Sequence, residues 1–239
     1  MRVTDQACWI LHRRPWRESS LLLEVFSRDH GRIGLVGRGA RGPRSPSRGL
    51  TEPFILLQCS WSRRGELGTL TGLEASGGRV PLQGQALWCG LYVNELILTL
   101  FERDDPSPEL FDHYSACLPR LSNKDDQLIA LRQIELSILA TLGVLPDLSA
   151  TADGDESVLP NRLYHVVPEA GLVPVSQRGS DVVAGRAALL LAGELTGDFD
   201  AQARRDARIL TRRLIEHQLA GRTLKTRELF RQGPVRGPQ

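Results

Sequence analysis

Lysine is nearly absent from this chain of 239 residues: two stand against 28 arginines. A G+C-rich genome gives such a ratio with no function attached, so the total says little and the clustering of arginines says more. No run of about 18 apolar residues occurs, so no membrane-spanning helix is expected. The N-terminus lacks the apolar core of a signal peptide, because Arg13, Arg14 and Arg17 come too early. Cysteine is sparse and scattered. Cys8, Cys59, Cys89 and Cys117 form no Cys-x-x-Cys pair, which excludes zinc-ribbon spacing and leaves a disulfide framework without support. Buried free thiols in a reducing cytoplasm are the expectation, with no metal and no cofactor. Two phosphate-binding signatures are missing as well. There is no Gly-x-x-x-x-Gly-Lys-Ser/Thr loop, and Gly37-Arg-Gly-Ala-Arg-Gly42 lacks the helix that must follow a dinucleotide-binding turn. The five histidines are dispersed, with no His-x-x-x-His pair. Two acidic clusters, Asp104/Asp105/Glu109 and Asp153/Asp155/Glu156, fall in expected loops beside Pro or Gly. They read as solvated loops before they read as metal ligands. No catalytic constellation is visible, and the protein is expected not to be an enzyme.

What the chain does have is segregated charge. Residues 1–80 hold 13 basic and 7 acidic residues, 81–200 hold 7 and 18, and 201–239 hold 10 and 3, giving +6, −11 and +7. Two basic ends flank an acidic middle. Between Arg28 and Arg48 lie six arginines against one acid, Asp29. The guanidinium is permanently charged and its donor fork matches phosphate oxygens, while interspersed glycines let backbone approach a ligand. Arg32, Arg38, Arg41, Arg44 and Arg48 are therefore candidate phosphate contacts. The competing reading is a solvated loop.

Alternation of apolar residues, broken by Gly, Pro and Ser, predicts five strands in the first 80 residues: 6–13, 20–27, 32–37, 54–61 and 67–73. Ala7, Trp9 and Leu11 share one face of the first strand, and Ile55, Leu57, Cys59 and Trp61 share one face of the fourth. Five short strands fit a small barrel, of OB or SH3-like type. Trp9 and Trp61 fall in step with core positions. Trp16, after Pro15 in an expected loop between basic residues, is the better base-stacking candidate. Helices are predicted over 85–102, from Pro108 to about Leu118 behind Ser107, and over 127–142 behind Asp125 or Asp126, the three packing as a bundle. Residues 146–161 read as a surface loop or disordered link. A hairpin is expected from 162–167 and 172–175, and helices over 182–195 and 201–219. The segment 221–232 is basic, with a short amphipathic turn around Leu229 and Phe230. On the 201–219 helix, Arg204, Arg208 and Arg212 recur at four-residue spacing and Arg205 widens the stripe, so this face is a second candidate polyanion surface. Neutralisation by Asp206, Glu216 or acids from the middle segment is the alternative.

The architecture expected is thus α+β and multidomain: a five-stranded β-barrel, OB-fold or SH3-like, at 1–80, a helical bundle domain from 81–145 and 182–232, and an irregular insertion with a hairpin at 146–181. The residues by themselves point to a nucleic-acid-binding barrel, with an RNA-binding barrel and a metal-dependent nuclease using the acidic loops among the readings left open.

Taken in order, several segments resemble the RecO family of bacterial recombination mediators. They are Leu11-His-Arg-Arg-Pro-Trp-Arg-Glu-Ser-Ser-Leu-Leu-Leu-Glu-Val-Phe26, Gly31-Arg32, Gly37-Arg-Gly-Ala-Arg41, Pro53-Phe54, Arg64-Gly-Glu66, Gly90-Leu-Tyr-Val-Asn-Glu-Leu-Ile97, Leu131-Arg-Gln-Ile-Glu-Leu136 and Gly221-Arg-Thr-Leu-Lys-Thr-Arg-Glu-Leu-Phe-Arg-Gln232. The resemblance covers nearly the whole chain and is weakest over 146–200. It implies an OB-fold on a helical domain, binding to single- and double-stranded DNA, strand annealing, contact with the C-terminal tail of single-stranded DNA-binding protein (SSB), and work with RecR in loading RecA, in the cytoplasm near the nucleoid. Many family members carry four zinc-binding cysteines in the region matching 146–180. This chain has none there, so zinc is not expected. The family places a tail-binding arginine at the position of Arg132, with Leu128 and Leu136 beside it. An ion pair with Glu135 is the alternative for Arg132.

Overall fold

A computed structural model describes residues 1–42, 45, 47 and 49–227. It divides into two compact units, one formed by Met1–Asn123 with the chain from Leu224, the other by Lys124–Thr223. The helical stretch 81–145, read from the sequence as one bundle, is therefore split: its first two helices belong to the first unit and its third to the second.

In the first unit, β1 (Arg2–Trp16), β2 (Ser20–Ser27), β3 (Gly31–Gly37), β4 (Ile55–Arg63) and β5 (Gly68–Arg79) close a barrel in the order β1-β2-β3-β5-β4. Only β3 and β5 pair in parallel, at Leu35/Gly68 and Val36/Thr69. This is the expected OB-fold barrel. Its interior is filled by Cys8, Ile10, Leu23, Val25, Ile33, Leu35, Leu57, Cys59 and Trp61, and burial pushes the Cys8 thiol well above its ordinary pKa. On β1 the expected facing is reversed. Cys8 and Ile10 point into the barrel, whereas Trp9 points outward, stacks edge-on against Tyr114 at 5.8 Å and donates from Nε1 to Ser115 Oγ at 2.8 Å. An aromatic on the outer face of a strand is buried here because a helix covers it. That helix is α2 (Pro108–Leu121); it follows α1 (Gly84–Leu100), which is buried around most of its circumference, as its apolar pattern requires. Gly90 of α1 is needed for contact, since a Cβ there would lie 2.6 Å from Leu82 and 2.9 Å from Phe54.

The segment after α1 straps the barrel. Asp104 N–H donates to the Arg32 carbonyl at 3.0 Å, Arg63 pairs with Asp104, and Arg103 pairs with Glu24. Gly31 allows this approach: its φ is +66°, and a Cβ would sit 2.1 Å from the Asp105 carbonyl oxygen.

The second unit holds α3 (Gln127–Thr141), a three-stranded sheet of order β7-β6-β8, α4 (Gly185–Ala192) and α5 (Ala201–Leu219); the strands are β6 (Leu163–Val167), β7 (Gly171–Val175) and β8 (Val182–Ala184). The predicted hairpin is β6–β7. The start of the predicted 182–195 helix is instead a strand: Val182 to Ala184 pair with 163–165 before the helix begins at Gly185. Gly185 sits so close that a Cβ would meet the Leu159 carbonyl oxygen at 2.3 Å, and Gly193, at φ +79°, ends α4. Nor is 146–161 a loose link. Leu148, Thr151 and Val158 are buried, and Thr151 Oγ1 donates to Asp153 at 2.5 Å and accepts from Glu156 N–H at 3.1 Å. Local hydrogen bonds order a segment whose composition alone is that of a flexible loop. The turn expected around Leu229 and Phe230 lies outside the described residues.

Candidate nucleic-acid interface

The β1–β2 turn and the loop after β3 meet at one end of the barrel. Arg17 opens the turn with φ +52°. After β3, Gly39 at φ +69° reverses the chain, and Ala40 plugs into the barrel core. The Arg41 amide donates to the Ser19 carbonyl at 3.0 Å, and its guanidinium Nη1 reaches the Glu18 carbonyl at 3.2 Å. The arginine and glycine loop is thus fastened to the turn by its own backbone.

Four guanidinium-bearing residues are exposed here: Arg14, Arg17, Arg38 and Arg41. Among the described residues no carboxylate forms an ion pair with any of them. Arg13, by contrast, pairs with Glu52 at 2.6 Å. Trp16 closes β1 rather than lying in a loop, half-buried between the turn and Arg14. Exposed cations with no anionic partner among the described residues, on a rim that also carries an aromatic ring, suit a polymer with regularly spaced phosphates and flat bases.

Of the expected site residues, Arg38, Arg41 and Trp16 come together at this rim. Arg44 and Arg48 lie outside the described residues. Arg32 does not join them. Its guanidinium turns under the barrel, donates to the carbonyls of Leu98 (2.8 Å) and Phe101, and lies 3.5 Å from Glu24. Burial lowers its pKa, with Glu24 opposing. Helix α1 has no basic residue in its last turn. Arg32 supplies that charge from the barrel and satisfies C-terminal carbonyls. The sequence could not separate Arg32 from its neighbours, since only the fold shows which way the side chain turns. Arg14 and Arg17 were not singled out as contacts, although the run Arg13-Arg14-Pro15-Trp16-Arg17 carried the signal.

On α5, Arg204, Arg205, Arg208 and Arg212 are exposed on the outer face. Asp206 does not neutralise them. It is fully buried and accepts from Arg178 at 2.9 Å, the Ala184 amide at 2.9 Å and Gln202 at 2.7 Å. Glu216 does pair with Arg212, at 2.8 Å, and Arg205 contacts Gln202.

Arg132 is also a correction. Only 8% of its side chain is exposed; it donates to Thr211 Oγ1 at 2.9 Å and pairs with buried Glu135 at 2.9 Å. It is an internal tie within the second unit, not an open receptor for a carboxylate. Leu136 is buried with it and Leu128 is half-buried.

Among the described residues no three His, Cys, Asp or Glu side chains are grouped to hold a metal ion, and no helix is long and apolar enough to cross a membrane. In the acidic clusters, Asp104 is held by Arg63 and Asp153 by Thr151.

Residues 1–79 match the family model for the Recombination protein O N terminal, and residues 81–228 that for the Recombination protein O C terminal. The chain is similar to proteins named DNA repair protein RecO. It is 45% identical to that of Methylococcus capsulatus, covering 96% of this chain and 94% of the relative. It is 43% identical to that of Alkalilimnicola ehrlichii (97% and 92%), and 40% to that of Laribacter hongkongensis (96% and 94%).

Proposed function

Since this chain belongs to the RecO family and so has a role in DNA repair and recombination, we propose that it binds single- and double-stranded DNA and anneals complementary strands, acting as a mediator and not as an enzyme. The observation that carries this reading is the barrel rim, which carries Trp16 and where Arg14, Arg17, Arg38 and Arg41 are exposed with no acidic partner among the described residues. Annealing needs no nucleophile. It needs cations that lower the repulsion between two polyanions and that leave base edges free to pair. The α5 face, with Arg204, Arg205 and Arg208, is a second cationic surface for duplex or for the incoming strand.

The same reading places the protein in the cytoplasm at the nucleoid, where with RecR it helps load RecA onto SSB-coated strands in the RecFOR pathway. The acidic SSB tail would be met by exposed cations, since Arg132 is committed to Glu135 and Thr211.

The test is single-stranded DNA affinity across a salt series. Four rim contacts give a log–log slope of about −3, from roughly −0.7 per phosphate. Replacing Arg38 and Arg41 by alanine brings it to about −1.4 for every sequence. An unchanged slope removes the rim from the site. Incubating labelled duplex with magnesium or manganese separates annealing from a nuclease, which would leave new ends. Competition with RNA of the same length separates a DNA mediator from an RNA-binding barrel.

A further inference from the structure

The β1–β2 ladder contains one extra residue. Ile10 pairs with Val25 and His12 with Glu24, so Leu11 is bulged out of register. Residues that pair across antiparallel strands share a face of the sheet. Before the bulge, Ile10 faces the barrel interior with Val25. After it, Arg13 pairs with Leu23 and Pro15 with Leu21, both interior positions, while Arg14 pairs with Leu22 and Trp16 with Ser20. Unbroken alternation from Ile10 would do the reverse, turning His12, Arg14 and Trp16 inward and Arg13 and Pro15 outward. The bulge therefore decides that Arg14 and Trp16 share the outer face, and that Arg13 is left at the inner edge, where Glu52 neutralises it.

A bulge leaves its extra residue without a ladder partner, and a buried carbonyl needs one. Leu11 is 2% exposed. Its carbonyl accepts from Asn94 Nδ2 of α1 at 2.9 Å, and Asn94 Oδ1 in turn accepts from the Tyr114 hydroxyl of α2 at 2.6 Å. Both side chains are buried, and burial raises the Tyr114 pKa well above its ordinary value, so the phenol remains a donor. Tyr114 fixes which end of the Asn94 amide faces the strand.

We propose that Asn94 is a positioning residue for the nucleic-acid face: by satisfying the Leu11 carbonyl it holds the bulge that turns Arg14 and Trp16 outward. This rests on the reading of the barrel rim as the DNA site.

The experiment is a double-mutant cycle read by the salt slope of single-stranded DNA binding, on protein shown by circular dichroism to be folded. Arg14→Ala in the wild type flattens the slope by about 0.7, the loss of one phosphate contact, which is about fivefold in affinity between 1 M and 0.1 M salt. Asn94→Ala flattens it by at least as much. In the Asn94→Ala background, Arg14→Ala then has no further effect, because Arg14 has already left the face. A merely stabilising Asn94 changes the melting temperature and leaves the slope and the Arg14 effect intact; that result, or full additivity, overturns the inference while the DNA site stands. Should Asn94→Ala fail to fold, Tyr114→Phe, which keeps the ring and removes only the orienting hydroxyl, takes its place with the same criterion. A wild type without salt-dependent binding overturns the functional reading and the positioning role together.

Discussion

Replacing Arg32 by alanine separates a structural arginine from a DNA-binding one. The side chain is 14% exposed and its guanidinium contacts two main-chain carbonyls at the end of α1 as well as Glu24. Hydrogen bonds to a charged group are worth about 1.5–3 kcal/mol. Compensation of a helix C-terminus adds roughly 0.3–1 kcal/mol. Arg103 still pairs with Glu24, so the carboxylate keeps one cation. The expected loss is about 2–4 kcal/mol, read as a shift in the urea midpoint with the m-value unchanged. For a chain of this size a loss of that order lowers the melting temperature by roughly 4–16 °C. At a temperature where the variant is still folded, the DNA salt slope should match the wild type. A variant within about 0.5 kcal/mol of wild type whose slope flattens by about 0.7 refutes the argument and returns Arg32 to the phosphate surface.

Asp206→Ala removes the acceptor of Arg178, Gln202 and the Ala184 amide together; an expected loss of about 2–4 kcal/mol is checked by urea unfolding, and a neutral result shows that the carboxylate does not tie β8 to α5. Arg132→Ala takes the cation away from Glu135, which is 1% exposed, so it should cost stability of about 3–5 kcal/mol, whereas an open receptor arginine would weaken an acidic peptide and leave unfolding unchanged. The Asp104 carboxyl is held below the ordinary aspartate range, chiefly by the hydrogen bond from Arg63. Its contribution is therefore fully present above about pH 4 and lost as pH falls through the lower folded value, so melting temperature should decline less steeply below pH 4 in Asp104→Asn; parallel curves count against the strap. Dialysis against a chelator should leave the unfolding curve unchanged and elemental analysis should find far less than one zinc per chain.

The sequence by itself determined the barrel, the helices and where charge accumulates, because each is written in local periodicity. The strand Ser20–Ser27 and the helix Ala201–Leu219 have the bounds read from alternation and from helical spacing. Trp61 fell in the core by its place among Ile55, Leu57 and Cys59. The rim was legible as a cluster of arginine and glycine, and Arg38 and Arg41 are exposed there. What only the tertiary structure decided is which arginine does what. Arg32 and Arg38 are indistinguishable as letters, yet one caps α1 and the other faces solvent, because a guanidinium on a long stem takes whichever partners the fold brings within reach. Arg132 likewise became internal when α5 supplied Thr211. On β1 a single extra residue at Leu11 reversed the facing of all that follows. A period of two carries no memory across a bulge, and the bulge is held by Asn94 and Tyr114, 83 and 103 residues further along the chain. In the same way Val182–Ala184, read as the start of an Ala/Leu-rich helix, is a strand paired with β6, as its two β-branched valines favour. Local pattern fixes which conformations are cheap; long-range partners choose among them.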